Sequence, residues 1–129
     1  MSHFTTVKTK IKCLVTLQKV IEEMGYSFKE GATHVRGYQG DLTEAIAVID
    51  TKSSYDIGVV QEGDGYALVG DWEMLQVRAG IEQDEFFKTL NKRYAYFKVL
   101  EEINKQGYSV VEETEDDKKV VHVRVRRWT

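Results

Sequence analysis

The sequence predicts an α+β fold in which an antiparallel sheet has two helices packed on one face, with a ferredoxin-like arrangement carrying an inserted β-meander as one form of it. Three observations predict it. Two segments, 13–24 and 84–106, repeat apolar residues at spacings of three and four, the period of an amphipathic helix. The remaining stretches are short, alternating or apolar runs bounded by Gly and Asp, as strands joined by turns are. The segments "EEMGYSF" (22–28) and "NKQGYSV" (104–110) each lead from a helix through Gly-Tyr-Ser into a strand. Such a pair fits either a duplicated strand–helix–strand unit or two helix-to-strand turns that converged on glycine followed by an aromatic.

Residues 3–11, "HFTTVKTKI", alternate as a strand, with Phe4 and Thr6 on one face and Val7, Thr9 and Ile11 on the other. From Cys13 to Met24 the positions Leu14, Leu17, Val20, Ile21 and Met24 form a helical stripe, and Gly25 supplies the left-handed cap. "YSFKEG" returns as a short strand, "THVRGYQG" (33–40) reads as a strand of its own, and "EAIAVID" as the next. "YDIGVVQ" and "GYALVGDW" face each other across "EGDG", whose Gly and Asp residues allow the positive φ of a tight hairpin. In the second helix Asp84 is the expected cap, Phe86, Leu90, Tyr94, Phe97, Leu100 and Ile103 the apolar face, and Gly107 the stop. A last hairpin runs from "YSVVEE" to "KVVHVRVRRW" through the acidic turn "TEDDKK".

Composition narrows the class. A chain of 129 residues, 42% hydrophobic and 30% charged, is sized for one globular domain over 1–129 with its own core. The net charge of −3, without Lys/Arg blocks, argues against wrapping nucleic acid and leaves room for a local basic face. Cys13 stands alone, which excludes an internal disulfide and a cysteine cluster for zinc, and its apolar surroundings "IKCLVTL" give it a packing role. No stretch approaches the ~20 apolar residues of a membrane span, and "MSHFTTVKTK" has neither a signal core nor the Arg content of an import peptide.

No catalytic signature is legible and no cofactor motif occurs; an enzyme is not the favoured reading. "EGDGYALVGDW" has no Lys-Ser/Thr pair and no helix at phosphate-loop distance, so it reads as a hairpin. His3, His34 and His122 lie on separate segments whose spacing enforces no metal site. The chemistry-bearing pattern is the terminal strand, where Val121, Val123 and Val125 fall on one side and His122, Arg124 and Arg126 on the other, with Trp128 in the same parity. His34, Arg36 and Tyr38 alternate likewise on "THVRGY". If helices cover the valine side, these residues form a basic and aromatic ladder on an open sheet face. Such a face is a solvated surface paired with the acidic "EETEDD", a docking surface for a protein, or a site for single-stranded nucleic acid or another anion.

On the second helix Tyr96 lies roughly 200° round from Tyr94, where it marks either amphipathic cover or a docking surface. Arg93 points near Tyr96 and Phe97, within reach of a ring. The binding candidates are therefore Arg36, Tyr38, Tyr96, His122, Arg124, Arg126 and Trp128. A protein partner is favoured over nucleic acid, and a second copy covering the open face is compatible with the pattern. The competing reading is a small-molecule pocket or enzyme site between sheet and helices using His34, Asp71 and His122.

The opening "MSHFTTVKTKI", the central "VRGYQG" and "YDIG", the helical "RYAY" and the terminal "RW" together resemble the family of hypothetical chloroplast reading frame thirty-five, found in cyanobacteria and algal plastid genomes. The similarity runs in order over essentially the whole chain. It implies a single-domain protein of unknown function, complete and untargeted, made in a bacterial cytoplasm or, if plastid-encoded, in the stroma. It transfers no catalytic residue.

Overall fold

The computed structural model describes residues 3–127. The chain is α+β and divides into two compact units, a first ending at Tyr94 and a second beginning at Ala95. The first holds β1 (Thr5–Lys8), α1 (Leu14–Glu23), β2 (Ser27–Glu30), β3 (Ala45–Asp50), β4 (Ile57–Glu62), β5 (Gly65–Gly70) and α2 (Trp72–Ala79). The unit boundary falls inside α3 (Gln83–Lys105), and the second unit adds β6 (Tyr108–Glu115) and β7 (Val121–Arg127).

In the first unit the strands form one antiparallel sheet in the order β1-β5-β4-β3-β2. Strands β2 to β5 are a meander, and β1 closes its far edge by pairing Thr6 with Val69 and Val7 with Leu68. The "EGDG" turn joins β4 to β5, with Gly63 at φ 60°. Both faces of this sheet are buried. Val48, Val60, Ala67 and Val69 share one face and pack with Val35 and Leu42 from the segment between β2 and β3, while Ala47, Ile49, Ile57, Val59 and Leu68, of opposite parity, are fully buried on the other. Burying both faces explains why β3 to β5 are near-continuous apolar runs rather than alternating ones.

Two glycines show how closely each face is covered. A Cβ at Gly58 would sit 2.8 Å from Leu42 Cδ2 and 3.3 Å from Val35 Cγ2, and one at Gly70 would sit 3.0 Å from Leu75 Cδ1 beside the Trp72 indole. The missing side chains at these two positions let α2 and the 32–42 segment approach the sheet closely without displacing Leu42 or Leu75. Helix α1 buries Thr16, Leu17, Val20 and Ile21, and the first turns of α3 bury Phe86 and Leu90.

Three expectations are corrected. Residues 33–40 are not a strand: Gly37 and Gly40 take φ of 88° and 82°, and Tyr38 N–H donates to the Val35 carbonyl, so the segment turns back on itself. The described residues hold three helices rather than two, because α2 begins directly after β5, its start capped by Asp71 accepting the Met74 N–H at 3.1 Å and its end by Gly80 at φ 67°. The start of α3 is capped by Glu82, whose carboxylate accepts the Glu85 N–H at 2.8 Å, with Asp84 in the first turn instead. The two Gly-Tyr-Ser junctions share their local geometry, Gly25 at φ 95° and Gly107 at φ 87°.

In the second unit β6 and β7 form a two-stranded antiparallel sheet of their own, separate from the five-stranded one. Asp116 organises the turn, its Oδ1 accepting the Lys118 and Val120 N–H groups at 2.9 and 3.0 Å. None of the described residues from Ala95 onward is fully buried.

Candidate functional site

Two of the motifs that carried the family resemblance, "VRGYQG" and "YDIG", are joined to each other. Asp56 of "YDIG", with a side chain only 4% exposed, accepts the Arg36 main-chain N–H at 2.9 Å, its Nε at 3.1 Å and its Nη2 at 2.8 Å, and returns its own N–H to the Arg36 carbonyl. Arg36 Nη2 also reaches Asp50 at 2.8 Å, and Asp50 receives Lys29 Nζ at 3.5 Å and the Lys52 N–H at 2.8 Å. A bidentate guanidinium–carboxylate pair of this kind is strong and directional. It raises the Arg36 pKa, first through the hydrogen bond to Asp56. Asp50 is lowered, first by the Lys52 N–H and then, against the burial that opposes it, by the charges of Arg36 and Lys29.

Arg36 thus ties its segment to Asp56 and Asp50 while staying 42% exposed, and Tyr38 packs against the core cluster. Tyr38 stands edge-on to Phe4 with ring centroids 5.0 Å apart, beside the cluster that covers the sheet. Gly37 lies between them so close to Tyr55 that a Cβ would fall 2.5 Å from the ring. "VRGYQG" and "YDIG" are thus a clip that fastens the 32–42 segment over the sheet.

His34, Asp71 and His122 each have local work. His34 Nδ1 is 3.1 Å from Asp41, buried Asp71 caps α2, and His122 Nε2 is 2.9 Å from Asp116. No group of three His, Cys, Asp or Glu residues able to hold a metal ion occurs among the described residues. Cys13 sits at the start of α1, with its Sγ accepting Thr16 Oγ1 at 3.2 Å and its N–H donating to Tyr94 Oη at 3.1 Å. Arg93 reaches Glu23 on α1.

The second unit shows the alternation read from the last strand. Across the hairpin Val121, Val123 and Val125 face Glu115, Glu113 and Val110, while His122, Arg124 and Arg126 face Thr114, Glu112 and Ser109. Val121 and Val123 are half-buried, and Tyr96 of α3 donates its hydroxyl to Glu113 on their side. The basic row looks the other way and is exposed, with side-chain exposures of 60% for His122 and 71% for Arg124. Its acidic complement is thin. Glu112 lies 3.9 Å from Arg124, at the outer limit of an ion pair, and Asp116 holds His122, which keeps the Asp116 carboxyl below its usual range. Arg127 caps the Tyr108 ring at 5.2 Å and donates to its hydroxyl. Trp128 lies outside the described residues.

A groove of about 580 Å³ opens in the first unit between the end of α1, the α2–α3 turn and the start of α3. Tyr26 and Phe86 form its aromatic wall, their centroids 6.1 Å apart, and burial raises the Tyr26 pKa. Its charged rim joins Glu23 at the end of α1 to Glu82, Glu85 and Arg93 at and beyond the start of α3, two stretches that no local pattern in the sequence would have joined.

The fold and these surfaces define a small α+β protein with an antiparallel sheet covered on both faces and a C-terminal hairpin that exposes a row of basic side chains. The chain belongs to the family described as a protein of unknown function, DUF1257, whose profile matches residues 20–124. It is similar to the uncharacterized protein ycf35 of Guillardia theta, 33% identical over 128 residues (99% of this chain and 98% of that protein), and to the ycf35 proteins of Cyanophora paradoxa and Pyropia yezoensis, 28% and 25% identical over the same shares. No solved structure matches it. No helix among the described residues is long and apolar enough to cross a membrane.

Proposed function

We propose that this protein is a non-enzymatic accessory or adaptor that binds a protein partner through the open face of the β6–β7 hairpin, with His122, Arg124 and Arg126 as its contacts and Tyr96 bracing the strand pair from behind. The observation that carries this reading is the row of three basic side chains on a sheet face opposite the one Tyr96 contacts, in which Asp116 holds His122, Glu112 lies at the outer limit of an ion pair with Arg124, and Arg126 faces Ser109. A solvated hairpin needs no such imbalance, and an exposed row of arginine is well suited to steering and orienting a charged partner. Relatives named ycf35 from algae support a place in the plastid, and there in the stroma, for this work.

The test is a tagged pull-down from an organism carrying the family, with and without nuclease, comparing wild type with R124E/R126E. A stoichiometric protein that survives nuclease and is lost from the double variant supports the reading; an identical retained set for both chains refutes it. Loss on nuclease treatment would assign the row to nucleic acid. The groove favours a second reading, a small-molecule site walled by Tyr26 and Phe86. A ligand that raises the melting temperature of wild type and not of Phe86→Ala would support that alternative.

A further inference from the structure

The hairpin has two outer edges, and they are not equivalent. β6 carries a bulge at Val111, where Val110 pairs with Val125 and Glu112 with Arg124, and a bulge bends an edge away from regular pairing. β7 is regular over all seven residues, contains no proline, and is bonded only to β6 among the described residues. Its outward N–H and C=O groups are a template for one more strand. A two-stranded sheet is itself marginal and gains from a third.

The side chains of β7 then specify what that strand must carry. Residues paired directly across an antiparallel ladder have Cβ atoms about 5 Å apart. A strand laid along β7 therefore places alternate side chains beside His122, Arg124 and Arg126, and the intervening ones beside Val121, Val123 and Val125. The first set must be acidic and the second apolar. A second copy of β7 fails this requirement, because two such strands would set one arginine row against another, and like charges directly opposite destabilise a pair.

Resting on the reading of the hairpin face as a protein-binding surface, we infer that the partner's contact is an extended segment alternating acidic and apolar residues, which adds as a strand to the outer edge of β7. Backbone hydrogen bonds hold it, and the arginine row selects it.

The probe is a labelled seven-residue peptide alternating glutamate and valine with blocked ends, titrated into the full chain. Two derivatives are N-methylated, one at every glutamate and one at every valine, so that each loses the donors of one strand edge. The parent binds, one derivative falls by roughly tenfold or more and the other is retained, since only one edge meets β7. R124E/R126E loses this peptide and takes the lysine–valine counterpart instead. Equal binding of both N-methylated forms overturns strand addition while leaving the face as a binding site. Equal binding of a peptide with the same composition in two blocks overturns the alternation. A hairpin that binds none of the peptides, although R124E/R126E loses a protein in the pull-down, overturns the inference alone; retention of that protein by the double variant removes the reading beneath it.

Discussion

Replacing Arg36 by methionine separates architecture from surface charge. Asp56 is 4% exposed at its side chain and Arg36 is 42% exposed, so the two halves of the pair are unequal. Without the guanidinium, a buried carboxylate keeps only the main-chain N–H of residue 36 as a donor from that segment. Removing one partner of a buried ion pair costs about 3–5 kcal/mol, and the surviving N–H places Arg36→Met near the lower end, about 3 kcal/mol. Asp56→Asn keeps an acceptor and leaves a guanidinium that can turn to Asp50 and water, so its cost is about 2 kcal/mol. The double variant should fall short of the sum by about 1–2 kcal/mol, since neither change strands the other group. Lys12→Ala breaks the exposed Lys12–Asp64 pair as a reference and should leave stability almost unchanged, since such a pair is screened by solvent. Urea unfolding followed by far-UV circular dichroism and by tryptophan fluorescence, to which buried Trp72 contributes, measures all four by linear extrapolation. An Arg36→Met cost as small as that of Lys12→Ala, or strict additivity of the pair, would refute the assignment of these motifs to the fold.

Other outcomes follow from the same geometry. Gly37→Ala forces a side chain onto a φ of 88° and into the Tyr55 ring, so it should lower stability by about 3 kcal/mol in the same urea assay. Asp50 has a folded pKa below its unfolded one, so its contribution is present above the ordinary carboxylate range and is lost as pH falls through the lowered value; Asp50→Asn should flatten the acid limb of the stability profile and leave less to lose there. Tyr96→Phe removes the hydroxyl held by Glu113 and should speed amide exchange in β6 and β7 at a cost of about 1 kcal/mol or less, while exchange in β3 to β5 stays unchanged.

What the sequence made legible was what local pattern encodes. The stripe of Leu17, Val20 and Ile21, the glycine caps at 25 and 107, and the Val/Arg alternation of β7 all follow from periods of 3.6 and 2. Helix α2 was hidden because it buries only Trp72 and Leu75 and follows an apolar strand without a break, although Asp71 and Gly80 were usable start and stop signals. "THVRGYQG" imitated a strand by alternation. Its two glycines, and an arginine drawn to a carboxylate twenty positions away, decide otherwise, and pairing over that distance leaves no local trace. The same holds for the groove beside Tyr26, whose walls join residues 23–26 to residues 80–93.

The measurement that bears most directly on the account is site-specific photo-crosslinking in the native organism, with a benzophenone side chain placed at Arg126 on β7, at Thr89 in the groove and at Lys52 on the 50–56 turn. The account predicts one discrete, nuclease-resistant protein adduct from position 126 and none of comparable yield from the other two. An adduct confined to position 89 or 52, with nothing captured at 126, would contradict it.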